Sequence, residues 1–112
     1  IADPEVYNRY TLQNILLTTY RRKVPMISFS PAYVEAGSLL ALYATPRQLG
    51  RFAGETVAKI ISQNPRRLPP PQYSNYFTVK INQRVAHSLG LSLGDATALH
   101  NELKKRSPEA QQ

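Results

Sequence analysis

Residues 39–48 read Leu-Leu-Ala-Leu-Tyr-Ala-Thr-Pro-Arg-Gln, and this run decides the fold class. Its first five residues are apolar or aromatic without alternation, the pattern of a strand covered on both faces, as in a parallel sheet. Thr45, Pro46 and Gln48 then spell a helix start. The threonine can cap, the proline fits the first turn, and the glutamine can reach back to close a capping box. Leu49, Ala53, Val57 and Ile60 follow on one helical face, joined by Phe52 and Ile61. A doubly covered strand running into an amphipathic helix is half of a crossover unit. The expected fold is therefore α/β: three layers, α/β/α, around a mainly parallel sheet.

Upstream, Asp3-Pro4-Glu5 reads as a helix start, and Leu12, Leu16 and Tyr20 recur at four-residue spacing up to Arg22. Val24 to Ser30 forms a short apolar run with Pro25 near its start. Ser30-Pro31 opens a single helical turn that Gly37 closes. The strands Val24–Ser30 and Leu39–Tyr43 should be parallel neighbours, flanked by the helices starting at Pro4 and Pro46. An antiparallel hairpin is the competing outcome, because only Pro31 to Ser38 connect them. Downstream, Asn64 to Ser74 holds four prolines and reads as an extended surface segment. Phe77, Val79 and Ile81 alternate with Thr78 and Lys80, as in a strand at a sheet edge. Asn82 caps a short helix with Val85, Ala86 and Leu89, ended by Gly90. Asp95 caps a last helix with Leu99 and Leu103 inward, and Ser107 to Gln112 reads as a frayed tail. The chain has no internal repeats.

At 112 residues the chain is the size of one domain. Leu, Ile, Val and Phe make up a quarter of it, above the roughly 20% below which chains stay disordered. No apolar run approaches the roughly 18 residues that cross a bilayer. The absence of cysteine excludes disulfides, thiolate metal sites and a cysteine nucleophile, and leaves the compartment open. The net charge of +7 and pI near 10.0 raise nucleic acid or an anionic membrane as partners. The basic residues cluster as Arg21-Arg22-Lys23, Arg66-Arg67 and Lys104-Lys105-Arg106, at expected helix ends or in a loop, where solvated cations also complement the macrodipole. The opening Ile-Ala-Asp-Pro is neither an initiator methionine nor a signal peptide, so an excised fragment is expected.

Signals for catalysis are poor. His87 and His100 lie on expected helices without a neighbouring second ligand, so no metal site is expected at either. No Gly-rich phosphate loop follows a strand, and no pair of acids stands at strand ends for acid–base work. The chain reads as a binding domain, not an enzyme, with no cofactor. Val85 to Arg106 has the outline of a helix–turn–helix, with Leu89-Gly90-Leu91 at the turn and a basic end. Gly94 and Asp95 would then occupy the start of the recognition helix, where base-contacting donors are wanted, so two helices packing on a sheet are expected instead.

Asp3-Pro4-Glu5-Val6-Tyr7-Asn8 resembles the start of the second lobe in ABC transporter substrate-binding proteins, in the group that includes aromatic-amino-acid binders. The resemblance continues through Val24-Pro25-Met26-Ile27-Ser28-Phe29-Ser30. It is strongest in Tyr33-Val34-Glu35-Ala36-Gly37-Ser38-Leu39-Leu40-Ala41-Leu42-Tyr43 and Leu49-Gly50-Arg51. It ends with Phe77-Thr78-Val79-Lys80-Ile81-Asn82, Val85-Ala86 and Leu89-Gly90-Leu91. The resemblance implies one lobe of a type I periplasmic-binding-protein-like fold: residues 1–93 as the C-terminal lobe, its N-terminal lobe absent, and residues 94–112 as a C-terminal helix and tail. It also implies a small solute, with an amino acid among the candidates, trapped between two lobes, a membrane permease as partner, and a periplasmic or lipoprotein-anchored location. No nucleic acid is expected. Ligands of open α/β sheets meet the loops at the carboxyl ends of strands. By the resemblance, those loops offer Asp3, whose carboxylate suits a substrate ammonium, then Ser30 and Pro31 with the backbone donors after Ser30, the ring of Tyr33, and Tyr43. Two other classes remain open on sequence: the ligand-sensing lobe of a regulator or receptor, and a basic nucleic-acid module built on the C-terminal helices.

Overall fold

The structure, a computed structural model, describes residue 3 and residues 5–106. The expected helix start at Pro4 and the tail from Ser107 lie outside the described residues. Within them the order is α1 (Arg9–Arg21), β1 (Ile27–Ser28), α2 (Pro31–Ala36), β2 (Leu40–Tyr43), α3 (Pro46–Ser62), β3 (Thr78–Ile81), α4 (Gln83–Ser88) and α5 (Ala96–Arg106). This is a mixed α/β fold with a small sheet in the order β1-β2-β3. β1 and β2 pair in parallel, Ile27 with Leu40 and Ser28 with Ala41. The hairpin alternative is thereby excluded. The chain divides into two compact units: one runs up to Leu42 and resumes at Val79, the other spans Tyr43 to Thr78.

The first unit departs from expectation at its two earliest elements. α1 begins at Arg9 because Asn8 is the cap, its Oδ1 accepting from the amides of Tyr10 at 3.0 Å and Thr11 at 3.2 Å. At the other end Lys23 adopts φ 55°, and the Val24 amide donates to the Thr19 carbonyl while Lys23 donates to Tyr20. That pair of bonds is a Schellman closure, and it consumes Val24. Pro25 has no N–H to offer and Ser30 turns away to cap α2, so β1 shrinks from the expected seven residues to the two, Ile27–Ser28. Gly37 ends α2 at φ 125°, a conformation that side chains with a Cβ rarely adopt, where glycine is the natural occupant.

The core of this unit gathers where β2 meets α4. Leu39, Leu40 and Ala86 are buried together, with Leu42, Ile81, Val85, Leu89, Leu93 and Leu99 packed around them. Residues of α4 and α5 thus share their apolar side with the sheet, as two helices on a sheet should, rather than forming a separate helix–turn–helix. Asn82 caps α4 through Oδ1, 3.2 Å from the Val85 amide, and Asp95 caps α5 through Oδ1, 2.6 Å from the Ala98 amide. Leu39 ties both sides of the sheet by backbone: its amide donates to Met26 at 2.9 Å and its carbonyl accepts from Asn82 at 2.8 Å. The basic runs at Arg21 and at Lys104 to Arg106 close α1 and α5.

In the second unit α3 carries the expected capping box, with Thr45 Oγ1 accepting from the Gln48 amide and Gln48 Oε1 from the Thr45 amide. Its apolar face does not become core. No residue of α3 is buried, and Leu49, Val57 and Ile61 are half exposed or more. The unit contains one helix and an irregular Pro-rich segment, so it has no second layer against which to bury the stripe.

An exposed ion pair joins α2 to β3: Lys80 Nζ stands 2.7 Å from Glu35 Oε1. The hydrogen bond from Lys80, then its charge, hold the Glu35 carboxyl below its usual 4.5. A carboxyl whose pKa is depressed on folding stabilises the native state above that usual value, and the contribution disappears as pH falls through the lowered one. Thermal melts of Lys80→Met should therefore lie slightly below wild type at neutral pH and converge on it in acid. Added salt should narrow the gap, because the pair is exposed. A gap that widens in acid contradicts this reading.

Candidate functional site

The turn from β1 into α2 is the best-built loop at a strand's carboxyl end. Ser30 leaves the strand extended, at φ −138° and ψ 137°, and caps α2 with Pro31 in the first turn. Beneath it lies a buried pair of hydroxyls. Ser28 Oγ is 2.9 Å from Ser38 Oγ and 3.2 Å from the Leu40 carbonyl. Ser38 is fully buried. One arrangement uses both contacts: Ser38 donates to Ser28, which spends its single proton on Leu40. The pair bridges β1, the end of α2 and β2, and pins the turn from below.

Above it, Phe29 and Tyr33 meet edge to face, ring centroids 5.1 Å apart at 72°. Phe29 is about half exposed, so the pair presents aromatic surface to solvent. The backbone donors after Ser30 are already engaged. Pro31 has none, the Ala32 amide points at Ser30 Oγ at 3.4 Å, and the Tyr33 amide donates to the Ser30 carbonyl at 3.1 Å. What the turn can offer a ligand is ring surface and hydroxyl, with little amide capacity to spare.

The other expected site residues are placed separately. Asp3 is exposed and caps a turn, its Oδ1 accepting from the Glu5 amide at 2.9 Å and its carbonyl from Tyr7 at 2.8 Å. It does not cap α1, which is the task of Asn8. Tyr43 ends β2, half-buried, and opens the second unit. The structure thus unites Ser30, Pro31 and Tyr33 around one turn.

Sequence reading missed a polar cluster in the second unit. Tyr76 donates its hydroxyl at 2.9 Å to the carboxylate of Glu55, which also accepts from Arg51 Nε at 3.0 Å. The Arg51 guanidinium lies over the Tyr76 ring, 5.0 Å from its centroid. Arg51 first and Tyr76 second lower the Glu55 pKa, and the bond to Glu55 raises that of Tyr76. Gln48 adds a bond from Nε2 to the Phe77 carbonyl at 3.3 Å. The Arg51–Glu55 spacing of one helical turn was a visible signal, whereas nothing in the sequence announces Tyr76 as their partner. Bonded to both Arg51 and Tyr76, Glu55 is a brace for the chain entering β3.

The family model described as ABC transporter substrate binding protein matches residues 3–102, and the chain belongs to that family. No curated protein and no solved structure matches it. The partners of such a protein are a small-molecule solute and the permease of an ABC system, and the family works outside the cytoplasm. No helix among the described residues is long and apolar enough to cross a membrane.

Proposed function

We propose that this chain is one lobe of the solute-binding component of an ABC import system, a non-enzymatic protein that traps a small molecule between two lobes. Residues 1–93 form the C-terminal lobe, 94–112 add a helix and tail, and the protein is periplasmic or anchored there as a lipoprotein. The observation carrying the proposal is the Phe29–Tyr33 pair, held half-open above a buried serine bridge, at the carboxyl end of a parallel strand in a chain of this family. Tyr33 and Ser30 contact the solute, Pro31 fixes the turn, and Asp3 and Tyr43 supply the flanking contacts. An amino acid suits this set, its ammonium meeting Asp3 and its side chain the rings.

The sheet edge supports a larger lobe, with the three-layer α/β/α arrangement and a mainly parallel sheet. β1 lies at the edge, yet Val24, Ile27 and Phe29 in and beside it are about half exposed or more. Apolar edges left uncovered invite pairing, and parallel sheets are ordinarily covered on both faces. Further strands belong on that side. The family assignment favours this reading over the regulator lobe.

Calorimetry against amino acids and related solutes tests the proposal. The chain alone should form no tight complex, because half the contacts and the closure that excludes water are missing. In the two-lobed protein, Tyr33→Ala should weaken solute binding on the order of tenfold. A submicromolar complex with the chain alone overturns the two-lobe reading, and an unchanged affinity in Tyr33→Ala removes the β1–α2 turn from the site.

A further inference from the structure

One basic pair is left without the explanation that serves the others. Arg21 closes α1, and Lys104, Lys105 and Arg106 close α5, where the macrodipole favours cations. Arg66 and Arg67 lie beyond Ser62, the last residue of α3, and beyond its cap Gln63. They begin a segment with no helix or strand, in which residues 66–73 are all exposed. Leu68 is 86% exposed and Tyr73 93%, the two highest values among the large hydrophobic residues described.

A lone exposed leucine is ordinary. Here two large apolar groups bracket three consecutive prolines, with two arginines immediately before them. The chain has no acid from position 56 to 94. The unit spanning Tyr43 to Thr78 contains five basic residues and one acid, Glu55, which Arg51 and Tyr76 already engage. We infer that residues 64–73 form a docking loop for an anionic lipid bilayer, with Arg66 and Arg67 at the phosphates and Leu68 and Tyr73 entering the headgroup layer.

Proline makes the loop suited to this and unsuited to the alternatives. Pro69, Pro70 and Pro71 offer no N–H, so the segment cannot be added as a strand to another protein's sheet. A proline run is pre-extended, so little ordering cost falls on contact with the surface. Pro65, Pro69, Pro70 and Pro71 include no pair three residues apart, the spacing read by aromatic-lined grooves that bind proline-rich peptides. Tyrosine has an apolar ring and a polar tip, the combination that settles at a membrane–water boundary. Arginines beside anionic headgroups add attraction that falls away within a Debye length.

The test is co-sedimentation of the full chain with vesicles, either an equal mixture of phosphatidylglycerol and phosphatidylcholine or phosphatidylcholine alone. Binding is expected to the mixed vesicles at ~0.15 M salt and not to the neutral ones. Arg66→Gln with Arg67→Gln should weaken it by at least ~tenfold, and Leu68→Ser with Tyr73→Ser should abolish it. All four side chains are exposed, so the fold should tolerate both pairs, which circular dichroism checks. The chain has no tryptophan, so Tyr73→Trp is a single-site reporter whose emission should shift to the blue on the mixed vesicles. Absence of vesicle binding, binding unaffected by either pair of changes, or equal binding of duplex DNA lost in the same variants would each overturn the inference.

Discussion

Leu39→Ala should destabilise the protein by about 2–5 kcal/mol, the usual cost of emptying a packed leucine site. A domain of this size has only about 5–15 kcal/mol in hand, so the melting temperature should fall on the order of 10–20 °C. Leu39 is 3% exposed and sits with Leu40 and Ala86 at the centre of the packed cluster. Its amide and carbonyl bonds to Met26 and Asn82 survive the change, since alanine has the same backbone. The loss therefore reports side-chain packing alone. Leu49→Ala is the control. Leu49 is half exposed on α3 and its truncation should cost less than about 0.5 kcal/mol. Equal losses at the two positions would mean that α3 is buried in solution, contrary to the structure.

The contrast between those two leucines shows where sequence reading succeeds and where it stops. Both stand in strongly patterned segments. Around Leu39 the pattern concerns burial at the entry to a β-strand whose nearer partner, β1, is only a short helix away in the chain, and Ser30, Gly37, Asn82 and Gly90 mark the ends of the short helices beside it. Caps and closures are local chemistry, so they were legible. The stripe of α3 was equally legible, but a stripe states only that a helix can be buried. Whether a layer exists to bury it is a tertiary fact. The misread start of α1 has the same origin in reverse: Asp3-Pro4-Glu5 and Asn8 both look like caps, and only the bonds made by Asn8 decide between them.

The site was legible to a similar depth. Ser30, Pro31 and Tyr33 could be grouped because one turn holds them. The serine bridge beneath could not be foreseen, because Ser28 and Ser38 meet only when β1 and β2 pair in the observed register. Glu55 and Tyr76 are separated by a Pro-rich stretch of no fixed period, so no spacing rule reaches across it. A third position shows the most informative combination of local and distant chemistry, and it lies behind the turn that bears Tyr33.

Asn82 has a role that no other side chain can fill without a measurable signature. Its Oδ1 caps α4 at the Val85 amide, while its Nδ2 donates to the Val34 carbonyl at 2.9 Å and so holds α2 from behind. Asn82→Ala loses both bonds and should cost about 2–3 kcal/mol, the cap and the stranded carbonyl together. Asn82→Asp keeps the capping oxygen but turns a second acceptor toward the Val34 carbonyl. At neutral pH it should lie between alanine and wild type. The cap therefore survives in Asn82→Asp and the tie to α2 does not, so the difference between that variant and wild type isolates the bond to Val34. Chemical denaturation of the three proteins at neutral pH measures it. A stability of Asn82→Asp equal to that of wild type would mean that the bond to Val34 contributes nothing, and that α2 is held by its packing and by the Lys80–Glu35 pair.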